Sequence, residues 1–220
     1  MSDRFRLISR LYARPTPAGA YHAVAAAHPD PRRRILLGLL GEPTSPQLDI
    51  GLLRRWVGDD TIDDQELLGL LCDAQEQGWV EGLDEPDAAP DGPLSDLLEQ
   101  LLPPLSANGT VLLVDAHGFV LSGHGFTDEA AEALGALSAD LANLHHRHHD
   151  AFRVATGLST SAWAVVDGAG NSQLGFWPLH IGDQRFVLAI AGLPRINHPQ
   201  LTRLIWALTL RYGAASAQAA

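Results

Sequence analysis

The sequence predicts an α+β protein: a mainly α-helical N-terminal domain followed by an α/β sandwich on a five-stranded antiparallel sheet. Three observations carry this. Leucines recur at helical spacing through residues 32–77. The stretch Thr110 to Gly125, TVLLVDAHGFVLSGHG, places two apolar runs around a tight turn. Beyond it a long helical pattern is followed by three further strand patterns and a last helix.

The 220 residues are divided as an arm (1–31), a helical domain (32–85), a linker (86–92), a second domain (93–213) and a tail (214–220). The arm is expected to be mobile, docking only a little, and the tail to be disordered. Arg4, Arg6 and Arg10 interleave with Phe5, Leu7, Ile8 and Leu11, and Pro15, Pro17 and Gly19 are read as stopping any helix there. In the helical domain, Arg32 to Leu40 carries Ile35, Leu36, Leu39 and Leu40 on one face and ends at Gly41 and Pro43. Leu48 to Val57 repeats the spacing with Leu48, Leu52, Leu53 and Trp56. Asp63 to Gln77 opens on Asp63 with Glu66 three residues on, a capping-box pair. Gly78 stops that helix and Trp79 to Gly82 reads as a strand. The helix–helix–helix–strand order resembles a winged-helix module.

The linker PDAAPDG has nothing to bury. Leu94 to Leu105 is then a leucine-striped helix. The hairpin pairs Val111–Val114 with Phe119–Leu121, and Asp115 is a turn residue. Thr127 caps a long helix with Ala130, Ala133, Leu134, Leu137, Leu141 and Leu144 along one side. It is expected to end at His145, His146, His148 and His149, with a loop of about ten residues after it. Strands follow at Ser161–Val166, Gln173–Ile181 and Gln184–Ala191, the last two joined by Gly182-Asp183. A helix from His198 to Arg211 closes the fold.

Composition excludes several functions. The formal charge of −11 disfavours nucleic acid and anionic membranes. All fifteen basic residues are Arg, which excludes a Walker A loop and a Schiff-base lysine. The single Cys72, read as a buried core residue, excludes an internal disulfide and a multi-cysteine zinc site. No apolar run reaches the roughly 18–20 residues of a membrane span, and no secretory signal is evident, so a cytoplasmic location is expected. Residues 32–85 carry five Arg against twelve carboxylates. The helix that a winged-helix reader would lay in the major groove has five acids and no Arg.

Chemistry-bearing clusters are few. His145 and His149 share one helical face and are the residues a metal would take, but a third ligand is missing, and no metal and no cofactor are expected. No nucleophile elbow or other catalytic constellation stands out, so no enzyme activity is expected.

The "LLVDAHGFVLSG" hairpin, with the order helix, strand, strand, long helix, three strands, helix, is similar to the Roadblock/dynein light chain family. The resemblance implies a profilin-like domain that self-associates through its long helix and the strand after it. Here those interface residues would be Leu134, Leu137, Leu141, Leu144, Trp163 and Val165. Strand alternation leads us to expect Phe176 or Trp177 at a partner surface. The resemblance further implies a non-enzymatic homodimeric adaptor or regulator of a small Ras-like GTPase in bacterial polarity, motility or signalling. The alternative is a transcriptional regulator with a winged-helix DNA-binding domain and a C-terminal sensor or dimerisation domain.

Overall fold

The computed structural model describes residues 6–7, 10–157 and 160–213. The chain opens with β1 (Tyr12–Pro15) and α1 (Pro17–Val24). Three helices follow, α2 (Pro31–Gly41), α3 (Ile50–Val57) and α4 (Asp64–Glu76), then β2 (Val80–Leu83). The capping box forms as expected: Asp63 accepts from the Glu66 amide at 2.8 Å, and the Glu66 side chain accepts from the Asp63 amide at 3.0 Å. The order of three helices, α2, α3 and α4, and the strand β2 is present, but β2 pairs antiparallel with β1, from ahead of the three helices, and not with a following strand.

The expected arm is therefore corrected over Tyr12–Val24, while residues 1–5, residues 8–9 and the tail lie outside the described residues. Pro17 does not stop a helix there; it begins one, at the first position where its missing N–H costs nothing. Thr16 caps α1 by accepting from the Gly19 amide, and its hydroxyl donates to the Gly78 carbonyl at 2.7 Å. Gly19 is required by proximity: a Cβ there would lie 2.0 Å from the Trp79 carbonyl oxygen.

The second half contains α5 (Leu94–Leu101), β3 (Val111–Val114), β4 (Val120–His124), α6 (Asp128–Thr156), β5 (Trp163–Val166), β6 (Ser172–Ile181), β7 (Gln184–Ala191) and α7 (Pro199–Tyr212). A short 3-10 turn, Pro103–Leu105, completes the span expected of α5. The five strands make one antiparallel sheet in the order β4-β3-β7-β6-β5, so β4 and β5 are its edges. α6 differs from expectation: it does not end at the histidines but runs on to Thr156, where Gly157 caps it in the left-handed conformation.

The helical half and the sheet share a core. One continuous apolar cluster joins Ile35, Leu36, Leu53 and Leu67 to Val111, Leu113, Leu188 and Ile190, with α1 and α7 between. A smaller cluster on the other sheet face packs Leu112, Val114, Phe176, Val187 and Ala189 beneath α6. The expected linker is held as well. Asp87 binds the guanidiniums of Arg14 and Arg203, Arg211 donates to the Gly92 carbonyl, and Ser45 exchanges hydrogen bonds with Asp87. Residues 86–92 are a connection in the chain and not a gap in the packing. Cys72 is half-buried, not in the core.

Trp206 is 1% exposed, and its indole N–H donates to the Glu42 carbonyl of the α2 cap at 2.8 Å. Trp206→Ala is expected to remove about 3–5 kcal/mol of stability. Urea denaturation followed by circular dichroism and by tryptophan fluorescence should give superimposable single transitions, because the two halves share this core.

Candidate functional site

α6 lies over the sheet on small residues. Gly135, Ser138, Ala139 and Ala142 are buried beneath it. Gly135 and Gly118 touch backbone to backbone: a Cβ on Gly135 would be 2.3 Å from the Gly118 carbonyl oxygen, and Gly118 itself needs φ +89°. Asp115 builds the turn that presents Gly118, accepting from the His117 and Phe119 amides at 2.8 and 2.9 Å. Small residues inward leave the leucines on the flank. Leu134 and Leu141 are half-buried against the sheet, whereas Leu137 and Leu144 are 42% and 40% exposed. Leu144 stands in a shallow groove with Asp140 and Arg147 on either side.

The edge strand β5 adjoins this helix. The Trp163 indole donates to His145 Nδ1 at 3.2 Å and packs against Phe152. Val165 and Val166 are more than half exposed. Among the described residues, β5 pairs with β6 on one side and has no strand on the other. Of the interface residues expected from sequence, Leu137, Leu144 and Val165 are thus exposed, Trp163, Leu134 and Leu141 half-buried, and all lie on α6 or β5.

The partner-facing expectation for Phe176 and Trp177 is corrected. Alternation does put them on opposite faces, but both faces are covered. Phe176 is 2% exposed beneath α6, and Trp177, half-buried, packs against the larger core with its ring against Gly175, where a Cβ would come within 2.3 Å. Among the described residues the exposed aromatic is Phe119, with Val120 and Leu121 beside it on the β4 edge. The sequence signal for this was available: FVLSG alternates poorly, as an edge strand with few facing neighbours does.

The histidines divide. His145 is buried; His149 is half-buried, 5.5 Å from it ring to ring, and bonded to Asp150 at 3.2 Å. Among the described residues, no group of three or more His, Cys, Asp or Glu is placed to hold a metal ion. Two arginines of the helical half are engaged by α4 itself: Arg32 bonds Asp73 at 2.6 Å and Arg54 bonds Asp64. No helix among the described residues is long and apolar enough to cross a membrane.

Comparison with known proteins adds two solved structures. The chain is similar to the Roadblock/LC7 domain from Streptomyces avermitilis, at 16% identity over 53% of this chain and 94% of that one, with a TM-score of 0.39. It is also similar to the gliding protein mglB from Thermus thermophilus, at 17% identity over 57% and 94%, with a TM-score of 0.35. No protein-family model and no curated protein matches. Residues 94–213 form a five-stranded antiparallel sheet with α6 on one face and α5 and α7 on the other.

Burial, helped by the nearby charge of Arg185, pushes the His180 pKa down to about 4; burial also lowers His145 and His22. The unfolded chain therefore takes up protons that the folded chain refuses as pH falls below about 6.5. Stability is expected to fall between pH 6.5 and 4, the window between the unfolded and folded values. His180→Gln should flatten that slope in thermal melts recorded across the window, leaving the melting temperature at pH 7.5 little changed.

Proposed function

We propose that this protein is a non-enzymatic, cytoplasmic adaptor or regulator that self-associates through α6 and β5. The observation that carries the proposal is the pairing of an exposed leucine flank, Leu137 and Leu144, with an unpaired strand edge bearing Val165 and Val166. Each is costly to leave open to water or to unwanted strands, and a second copy covers both. Joining two β5 edges makes one ten-stranded sheet of two five-stranded ones.

The charges on the groove support a two-fold arrangement. Asp140 and Arg147 lie seven residues apart on either side of Leu144. When two α6 helices cross antiparallel near Leu144, Asp140 of one copy meets Arg147 of the other, twice, as an isologous interface requires. The β4 edge, with Phe119, Val120 and Leu121, then stays free for a different protein, because the sheet's opposite edge is used in self-association. A small Ras-like GTPase is the partner class that the resemblance to Roadblock domains implies, with bacterial polarity, motility or signalling as the setting. A DNA-binding role gains no support from α4, which bears carboxylates and no Arg of its own, while Arg32 and Arg54 are taken up by its Asp73 and Asp64.

In sedimentation equilibrium the chain should behave as a dimer of its 23.6 kDa mass. Asp140→Arg should weaken the dimer by about tenfold or more. The double exchange Asp140→Arg with Arg147→Asp should restore it. A wild-type monomer at ~100 μM would overturn the proposal.

A further inference from the structure

We propose that the cavity between the C-terminal half of α6 and the α1–α2 connection binds a small molecule carrying a phosphate group. This site adjoins the proposed self-association face, touching it through the His145–Trp163 hydrogen bond and through Asn143, and it is tested by its own ligand.

The cavity holds about 360 Å³, within the range of small-molecule sites. Its wall is apolar at residues 25–27, three alanines, and at Pro178. Its polar lining has the opposite sign to the protein as a whole. In a chain of net charge −11, Arg33, Arg153 and Arg185 converge here against one carboxylate, Asp150, which is already bonded to His149.

Among the described residues, two buried side-chain atoms of lining residues lack a hydrogen-bond partner, His145 Nε2 and Arg185 Nε. His145 is only 8% exposed. The chemistry of both atoms is fixed by their neighbours. The Trp163 indole can only donate, so His145 Nδ1 must accept, and the neutral ring carries its proton on Nε2. Arg185 gives one terminal nitrogen to Asn143 Oδ1 at 2.7 Å, and its Nε–H remains. Both orphans are therefore donors, and a buried donor without an acceptor is costly. They call for an anion. A metal ion at His145 Nε2 would force the proton onto Nδ1, against the Trp163 N–H.

Charge selects phosphate over carboxylate. A phosphomonoester carries about −1.5 to −2 at neutral pH and three acceptor oxygens. That matches the excess of guanidinium over carboxylate and supplies an oxygen to each orphan, with guanidiniums suited to forked contacts. Arg33 is held at the rim by donating its Nε to the His22 carbonyl at 3.0 Å, and Asp30 lies 3.7 Å from its Nη1. The alanine wall then takes the organic part of the ligand.

Calorimetric titration of the full chain with glycerol 3-phosphate at pH 7 tests this, with glycerol and acetate as controls. Saturable binding with Kd below ~1 mM, and at least tenfold preference over acetate, is expected. Arg185→Gln should weaken binding about tenfold or more with an unchanged melting temperature. If that variant does not fold, the side-chain nitrogen resonances of the wild type decide: His145 Nε2 should shift on adding glycerol 3-phosphate and not on adding glycerol. No binding at ~10 mM, binding indifferent to Arg185→Gln in the folded variant, or an unmoved His145 resonance at saturation would each overturn the proposal. So would tight zinc binding that abolishes the His145–Trp163 hydrogen bond.

Discussion

The structure depends on the burial of α7. From Leu201 to Thr209 every position but Arg203 is buried, so this helix has no solvent face to speak of along its middle two turns. One side lies on the sheet and another on α1 and α2, and Trp206 ties it to the α2 cap. A helix buried all round must have partners all round. That requirement is what draws the helical half onto the sheet and makes one core of two sequence regions. It also uses up one face of the sheet. Whatever this protein binds, it must bind elsewhere.

Elsewhere means the α6 face and the two edges. α6 approaches the sheet closely because its inner residues are small, and the Gly118–Gly135 contact leaves no room for anything larger. The same choice pushes its leucines to the flank. A helix that leaves large apolar residues outside while its small ones lie inside is costly for a solitary domain, since Leu137 and Leu144 contribute little to its own core. Continuation of α6 past the histidines has a second consequence. Its last two turns, with no matching extension of the sheet, roof the cavity lined by Arg185, His180 and the α1–α2 connection.

Much of the architecture is legible in the sequence, and the failures share a cause. β3, β6 and β7 agree with their predicted runs within a residue because buried strands must be apolar. α4 is legible from Asp63 and Glu66, a local signal that tertiary context does not override. Tyr12–Val24 is hidden because Pro15, Pro17 and Gly19 read locally as breakers. Their roles are set by distant residues: a strand partner at Val80–Leu83 and the backbone of Trp79. Leu137, Leu144 and Val165 are legible as surface candidates from periodicity combined with the family resemblance. Phe176 is misplaced by alternation, which says only that two neighbours face opposite ways, not whether both ways are covered. The cavity is not legible at all. Arg33 and Arg185 are 152 positions apart in the chain, and no spacing rule connects them.

If β5 completes its pairing in a second copy of this chain, as proposed, its own amides report it. Hydrogen–deuterium exchange at the β5 amides, residues 163–166, reads that pairing directly. As concentration rises from ~1 to ~100 μM, those amides should become protected while the β4 edge does not change. Exchange at β5 that is equally fast at both concentrations would contradict the account.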